Sequence, residues 1–262
     1  MLMRPAPARR ITFRKSCTAF RCISTELSGL STDETRIQLR QMLRETAQSV
    51  AVVTSIIPCS TGDTNKPQSH RNTRETFHGA TLSSFTSISL DPFPLVAFSL
   101  RIPSRMATAL NTRVHRQAEC ASVSPHLVIN VLSAAQGDVA EIFARADLYP
   151  RPFEDDRVRW TKSEDGLPIL SDSLGALSCN LVGPSLSLAD LSWLRRSRIP
   201  EGSGRGGDCG PASELFIARV LRVESIPALD SQANEGGDES RTLPLLYHRR
   251  QYATVRDIPK SR

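Results

Sequence analysis

The segment from Gly79 to Arg105 constrains the fold of this chain more than any other stretch. It contains a strand rich in small and hydroxyl-bearing residues, a turn bracketed by two prolines, an apolar strand, and a loop that ends in Ser104 and Arg105. Small side chains let backbone N–H and C=O groups approach the edge of a flat polar ligand. A hydroxyl beside a guanidinium can hold a phosphate. The segment therefore predicts a binding site for a flat phosphorylated ligand, and the alternative is a hydroxyl-rich edge strand without a ligand.

The rest of the chain predicts several short strands and few helices. Alternating or continuous apolar patterns predict strands at 50–57, 77–90, 95–100, 127–133, 176–182, 214–224 and, as one strand or a pair, within 244–255. Capping residues and apolar spacing predict helices at 32–48, 104–111 and 134–145. The helix at 104–111 would begin at the proposed phosphate site, where free amides and the helix dipole favour an anion. This pattern favours a β-barrel with peripheral helices.

The same segment resembles the flavin reductase-like FMN-binding split-barrel family. The family pattern G-x-T-x-S-S-F-x-S-x-S-x-x-P-P is met, apart from Phe93 between the two prolines, by Gly79, Thr81, Ser83, Ser84, Phe85, Ser87, Ser89, Pro92 and Pro94, and the following loop by Pro103, Ser104 and Arg105. A later strand–helix pattern is met by Asn130, Leu132, Gln136, Ala140 and Phe143. The resemblance runs from about Ile37 to Val255. It implies a mainly β fold, a split β-barrel of Greek-key topology with about six strands and peripheral helices, which works as a homodimer with flavin at the subunit interface.

The resemblance also implies a set of cofactor-binding residues. These are Ala80, Thr81, Ser83, Ser84, Phe85, Thr86, Ser87, Ser104, Arg105 and Phe143. Ser104 and Arg105 would hold the phosphate, the serines and the backbone amides would bind the ribityl chain and the ring edge, and Phe85 or Phe143 would cover a ring face. The expected cofactor is FMN, with FAD as the alternative, and NAD(P)H is the expected substrate. Because hydride passes between cofactors, no protein nucleophile is needed.

Three further side chains near the expected site have open roles. His78, at the start of the flavin strand, is a catalytic candidate, and the alternative is a half-exposed strand histidine without a role. Tyr247 and Tyr252 lie in a C-terminal segment that resembles the family's last strands. Either tyrosine can cover the cofactor, but packing in the core or at the dimer interface is the favoured interpretation.

One family feature is missing from this chain. Reductases of the family carry a G-D-H triplet before the strand at 214–224, and here Pro211, Ala212 and Ser213 occupy that place. The main hypothesis is an NAD(P)H-dependent FMN reductase that delivers reduced flavin to an oxygenase or another mitochondrial partner. The alternative is a flavin-binding protein without NAD(P)H turnover that acts as a carrier, a sensor or an assembly subunit. An oxidase acting on another small substrate is a third hypothesis.

The positive charge of the chain is concentrated at its start. The formal net charge is +6, and residues 1–25 contain six basic residues and no carboxylate. Together with interleaved serines and threonines, this composition is typical of a mitochondrial transit peptide, and a disordered basic tail is the alternative. Removing the segment would bring the net charge close to zero, which weakens a nucleic-acid hypothesis. We therefore expect a mitochondrial matrix protein that binds no nucleic acid.

The predicted domain organisation is simple. Residues 1–30 form the transit peptide or a disordered tail, and residues 31–262 form one domain with loop insertions at 58–76, 184–212 and 228–241. No apolar run is long enough for a transmembrane helix, and the six cysteines show no metal-binding spacing. Cys179 is expected to be a buried small hydrophobic residue. The basic cluster around Arg195 can contact an acidic partner, although a solvated loop is the simpler interpretation.

Overall fold

The computed structural model describes residues 32–57, 76–117, 124–188, 213–225 and 239–256. The helices are α1 (Thr32–Arg44), α2 (Arg105–Gln117) and α3 (Gly137–Ala144), with 3-10 turns at Ala134–Gln136, Pro152–Glu154 and Glu239–Arg241. The strands are β1 (Gln48–Ser49), β2 (Ala51–Ile57), β3 (Thr76–Leu82), β4 (Thr86–Ser89), β5 (Leu95–Arg101), β6 (Leu127–Val131), β7 (Trp160–Lys162), β8 (Pro168–Leu170), β9 (Gly175–Leu181), β10 (Leu186–Ser187), β11 (Ser213–Glu224), β12 (Leu246–His248) and β13 (Gln251–Ala253).

Most of these strands belong to one antiparallel sheet. Its order is β3-β2-β6-β9-β11-β5-β4, and β10 pairs with β11. Within the described residues this gives eight strands, against the six or so that were expected. Two smaller sheets are formed by β1-β12-β13 and by β7-β8. Strand β3 at one edge and β5 near the other edge line the same cleft, so the sheet curls into a half-barrel and confirms the predicted mainly β architecture.

The inside of the curl is filled by a hydrophobic core to which α2 contributes. Met106, Ala107 and Leu110 on one face of α2 are buried with apolar residues of β2, β5, β6 and β11. Phe98 and Phe216 stack at the centre of this core, with ring centroids 5.3 Å apart. Since β5 leads directly into α2, this packing holds the loop between them, and with it Ser104 and Arg105, at one end of the half-barrel.

A second core lies between the sheet and α3. Val139, Ala140, Ile142 and Phe143 of α3 are buried there, together with apolar residues of β2 and β8. Asn130 on β6 is fully buried next to this region and forms hydrogen bonds with two other strands, β2 and β8. The packing places the end of α3 against β3, beside the predicted ligand strand.

The predicted elements are found with shifted bounds. The expected continuous strand at 77–90 is in fact two strands, because residues 83–85 leave the edge at β3 and cross to β4 on the other side of the half-barrel. The first helix ends at Arg44 instead of residue 48, and α2 extends to Gln117. The predicted loops at 58–76, 184–212 and 228–241 contain, at their margins, Thr76 of β3, strand β10 and the turn at Glu239–Arg241.

The strands β7 and β8 were not predicted from the sequence. Each has only three residues, which is too short for a periodic pattern to stand out. Residues 1–31, most of the three predicted loops and the basic cluster around Arg195 lie outside the described residues. In the part of the chain that is described, no helix has the length and apolarity needed to cross a membrane.

Helix α1 carries exposed apolar side chains. Ile37, Leu39, Met42 and Leu43, which the sequence groups into an apolar stripe, are between 43% and 58% exposed. The contacts within the chain divide it into two units between Gln41 and Met42. The described residues thus leave this stripe exposed.

Candidate functional site

A cleft of about 780 Å³ opens at the end of the half-barrel where β3, β5 and α2 converge. Its volume lies in the upper part of the roughly 300–1,000 Å³ range of small-molecule sites. The described residues that line it are Val50, His78, Gly79, Ala80, Thr81, Leu82, Ser83, Ser84, Ser99, Leu100, Arg101, Pro103, Ser104, Arg105, Phe143, Ala144, Ala146, Asp147, Pro150, Ser213, Tyr247 and Tyr252. Apolar walls and several convergent polar groups together are typical of a cofactor site.

One wall of the cleft is formed by β3 and supported by α3. A Cβ atom at Gly79 would lie only 2.5 Å from Cε1 of Phe143, so the ring can pack directly on the backbone of β3 only because this residue is glycine. Thr81 Oγ1 donates a hydrogen bond of 2.7 Å to Ala140 O, which ties the same strand to α3. The wall therefore consists of small residues, is supported from behind by α3, and leaves room for a flat ligand to approach the backbone.

The hydroxyl groups of the site come from two different segments. Ser84 lies in the crossing between β3 and β4, and its Oγ accepts a hydrogen bond of 2.8 Å from Ser99 N and donates one of 3.2 Å to Ser99 O. These bonds attach the crossing segment to β5 and hold the half-barrel at this point. Ser83, which precedes Ser84, is exposed in the same cleft.

Ser104 and Arg105 form the opposite end of the cleft at the start of α2. Ser104 caps the helix, because its Oγ accepts a hydrogen bond of 3.3 Å from Ala107 N and its O accepts one of 3.1 Å from Thr108 N. Arg105 is the first helical residue and is exposed in the cleft. It forms no ion pair with any carboxylate in the described part of the chain. An unpaired cation at a helix N-terminus opposes the helix dipole unless an anion lies between them.

His78 lies in the cleft within the field of this arginine. Burial of the imidazole, and secondarily the positive charge of Arg105, lower the pKa of His78 below its usual value of 6.5. The side chain is therefore neutral at pH 7, with one ring nitrogen available as a hydrogen-bond donor and the other as an acceptor. A bound phosphate would reduce the repulsion and raise this pKa.

Tyr247 and Tyr252 form the rim of the cleft opposite β3. They face each other across the β12–β13 hairpin with ring centroids 5.9 Å apart. Burial, followed by the charges of Glu141 and Tyr247, raises the pKa of Tyr252 above its usual value of 10. The phenol of Tyr252 is therefore protonated at pH 7 and can donate a hydrogen bond into the cleft. The sequence favoured packing in the core or at the dimer interface for them, and in the structure both line the cleft.

The structure brings most, but not all, of the predicted cofactor-binding residues together. Ala80, Thr81, Ser83, Ser84, Ser104, Arg105 and Phe143 line the cleft, as does His78. Phe85 instead packs against the core inside the curl of the sheet, which removes it from the position of a ring cover. Thr86 and Ser87 are exposed on β4, beyond the crossing of the chain, and do not line the cleft. Of the two phenylalanines considered for the wall, Phe143 is in place, although it is only 4% exposed.

Several lining residues were missed by the sequence analysis, among them Ser99 and Arg101. Ser99 and Arg101 alternate along β5 with the buried residues Phe98 and Leu100, so both side chains project to the cleft side of the strand. This alternation is visible in the sequence, but it does not show which face of β5 meets a ligand. Arg101 pairs in register with Ser213 of β11, which also lines the cleft.

The position of the missing G-D-H triplet is only partly described. Pro211 and Ala212 lie outside the described residues, and Ser213 is the first residue of β11. Among the described residues that line the cleft, His78 is the one histidine.

Cys179 does not belong to the cleft. It is fully buried on β9, and burial raises the pKa of its thiol to about 12, which fits the expected inert hydrophobic role.

The half-barrel defines a split-barrel protein with a cleft at one end. A solved structure with the same fold is the nitrilotriacetate monooxygenase component B from Mycobacterium thermoresistibile, which is 19% identical, aligns with a TM-score of 0.53, and covers 87% of this chain and 92% of its own. The flavin reductase like domain family matches residues 43–256. The chain therefore belongs to this family.

Two curated relatives agree with this assignment. An NADPH-flavin oxidoreductase from Streptomyces viridifaciens is 32% identical over 178 residues, which cover 67% of this chain and 76% of the relative. An NADH-dependent flavin reductase from a Rhodococcus species is 31% identical over 159 residues, which cover 60% of this chain and 73% of the relative. This chain is thus similar to proteins that are named for flavin reduction with either nicotinamide cofactor.

Proposed function

We propose that this protein is a flavin reductase that binds FMN in the cleft between β3 and α2 and reduces it with NADH or NADPH. The single observation that carries the proposal is the convergence of the smooth wall at Gly79–Thr81 with Ser104 and Arg105 in one cleft. The family membership and the names of the two relatives support the same activity.

The residues of the cleft fit the parts of FMN. Ser104, Arg105 and the free amides at the start of α2 suit the phosphate. The hydroxyl groups of Ser83 and Ser84 suit the ribityl chain. The small residues at 79–81 let the ring edge reach the backbone of β3, where N–H and C=O groups can recognise its pyrimidine part.

The protein contributes orientation and exclusion of water, and the bound flavin would supply the hydride-accepting chemistry. Phe143 keeps the wall behind β3 apolar. Tyr247 and Tyr252 narrow the rim and can donate hydrogen bonds to a second ligand. Neutral His78 is the catalytic candidate in the lining, placed to donate or accept one hydrogen bond without adding charge to the site.

One observation favours a second candidate function, flavin binding without turnover. At the place where reductases of the family carry G-D-H, this chain has Ser213 in the cleft and no histidine within residues 211–213. The resemblance implies that the histidine of this triplet serves nicotinamide binding, so its absence bears on the use of NAD(P)H and not on the flavin-binding residues. In the reductase proposal His78 supplies the imidazole of the site from β3 instead.

An absorption spectrum of the purified full-length chain, recorded before and after anaerobic addition of NADH or NADPH, separates these functions. A reductase will show flavin bands that bleach within seconds of either addition, and the His78→Gln variant should slow the bleaching while retaining the bands. Bands that persist with both nicotinamides would favour the non-reducing flavoprotein. A colourless protein that does not bind added FMN would exclude both functions.

Assembly and location complete the proposal. We propose a homodimer in which the exposed stripe of α1 is covered by a second copy, and delivery of reduced flavin to an oxygenase or another mitochondrial partner. The mitochondrial matrix is supported by the basic, carboxylate-free composition of residues 1–25. Mitochondrial targeting can be tested by fluorescent tagging of the full chain. The control is a tagged variant in which the six basic residues within residues 1–25 are replaced by glutamine.

A further inference from the structure

A second arginine lies at the phosphate end of the cleft. Ser104 and Arg105 already provide a hydroxyl and a guanidinium for one phosphoryl group. Arg101 precedes them by one short turn and lines the same cleft, although neither the family pattern nor the proposed FMN site requires a cation there. Its role can be derived from its direction and from the charge around it.

The direction of Arg101 follows from the alternation of β5. Phe98 and Leu100 point into the core, so Ser99 and Arg101 point to the opposite face. The hydroxyl of Ser99 donates a hydrogen bond of 3.0 Å to Ser84 Oγ on that face, and both serines line the cleft. Arg101 therefore lies on the same face of β5 as Ser99, two residues closer to α2. Ser213, its partner in register on β11, also lines the cleft.

Arg101 lacks a counterion among the residues that the structure describes. In the described part of the chain, neither Arg101 nor Arg105 forms an ion pair. Among the described lining residues, Asp147 is the one carboxylate. Its two oxygens accept hydrogen bonds of 3.2 Å from Nε and Nη2 of Arg145. His78 is neutral at pH 7. Two like charges facing one cleft without a partner are unfavourable, and a ligand with more than one phosphoryl group would relieve the repulsion.

We propose that Arg101 is a specificity-determining residue that binds a second phosphoryl group, distinct from the one held by Ser104 and Arg105. This group is either the additional phosphate of the FAD diphosphate or the 2′-phosphate of NADPH. The volume of about 780 Å³ gives room for a ligand larger than a mononucleotide. The inference rests on the proposed flavin-reductase function and names the phosphate chemistry that this site selects.

The test compares selectivity ratios in the full-length protein. Dissociation constants for riboflavin, FMN and FAD are measured by fluorescence quenching, and kcat/KM for NADH and NADPH by flavin reduction, in wild type, Arg101→Gln, Arg101→Lys and Arg105→Gln. Arg40→Gln on α1, outside the cleft, controls for the loss of one positive charge. Because a charged hydrogen bond contributes roughly 1.5–3 kcal/mol, Arg101→Gln should change one ratio by on the order of tenfold or more.

Each source of the second phosphate has its own signature. A drop in FAD affinity relative to FMN in Arg101→Gln assigns the diphosphate, and a drop in kcat/KM for NADPH relative to NADH assigns the 2′-phosphate. Arg101→Lys should give a smaller change of the same ratio, because it keeps the charge and loses the planar fork. Arg105→Gln should weaken FMN relative to riboflavin, which carries no phosphate.

If both ratios stay within about twofold of wild type in Arg101→Gln, while circular dichroism shows a folded protein, the proposal is wrong. It is also wrong if Arg101→Gln and Arg105→Gln weaken FMN and FAD equally, because both arginines would then share one phosphate. Failure of the proposed function looks different: the wild-type chain itself would bind neither FMN nor FAD.

Discussion

Gly79 is the residue at which the smallest chemical change should have the largest consequence for the site. The ring of Phe143 occupies the space that a Cβ atom would need, with Cε1 and Cδ1 at 2.5 and 2.6 Å from its position. The backbone at Gly79 is an ordinary strand, so the requirement for glycine comes from close packing and not from an unusual dihedral angle. The wall of the cleft thus depends on the absence of one methyl group.

We expect Gly79→Ala to destabilise the protein by about 1–3 kcal/mol, because the ring must move out of a filled core. Urea unfolding followed by circular dichroism measures this change. Gly175→Ala is the matched control: it is also a strand glycine, with no atom within 4 Å of an added Cβ, and should leave the free energy of unfolding nearly unchanged. Equal effects of the two substitutions would contradict the packing argument.

Two histidines give the protein a predictable response to pH. Burial, with smaller contributions from Arg105 and Arg113 respectively, lowers the pKa values of His78 and His126 below 6.5. Below pH 6.5 the unfolded chain therefore binds more protons at these sites than the folded chain, and the free energy of unfolding should fall as the pH decreases toward the folded pKa values.

Unfolding in urea at a series of pH values from about 7.5 to about 5.5 tests this expectation. The double variant His78→Gln/His126→Gln should lose part of the decrease, because the groups that take up protons on unfolding have been removed. A double variant with the same slope as wild type would show that other groups cause the decrease.

At the scale of elements, the site depends on how three segments are tied together. Asn130 on β6 donates from Nδ2 to Val52 O at 3.1 Å and to Thr54 Oγ1 at 3.2 Å, both on β2. Its Oδ1 accepts a hydrogen bond of 2.8 Å from Leu170 N on β8. One buried side chain thus satisfies polar groups on two other strands and fixes β2, the neighbour of the cleft strand β3.

We expect Asn130→Ala to cost about 2 kcal/mol or more, because it leaves buried polar groups without partners and creates a small cavity. Asn180→Ala on β9 is the control, since the buried Oδ1 of Asn180 accepts no hydrogen bond from the described residues and its removal should cost much less. Thermal or urea unfolding of both variants provides the comparison. A cost for Asn180→Ala as large as that for Asn130→Ala would contradict the role assigned to the network.

At the scale of the whole molecule, α1 carries an apolar stripe that the described residues of the chain leave exposed. Fully burying one such side chain stabilises a structure by roughly 1.5–3 kcal/mol. We therefore expect the full-length protein to be a dimer in light scattering, and Met42→Lys to shift it toward the monomer. Gln41→Lys adds the same charge beside the stripe and should leave the dimer intact. A monomeric wild-type protein would contradict the expectation.

The sequence by itself determined the class of the fold and the segment that builds the site. Strand alternation is a local property, and the pattern from Gly79 to Arg105 is contiguous, so both can be recognised without knowing what packs against what. The buried strand at 51–57, the inert Cys179, and the start of α2 at the predicted phosphate end follow from such local patterns.

Only the tertiary structure decided which residues meet in the cleft. The crossing at 83–85 carries Phe85 into the core and Thr86 and Ser87 out of the site, although all three lie in the same hydroxyl-rich run. Arg101 and the two C-terminal tyrosines enter the lining because the sheet curls and brings distant segments together. In the curled sheet, α2 and α3 pack against strands that are distant in sequence, and no local window of sequence contains these contacts.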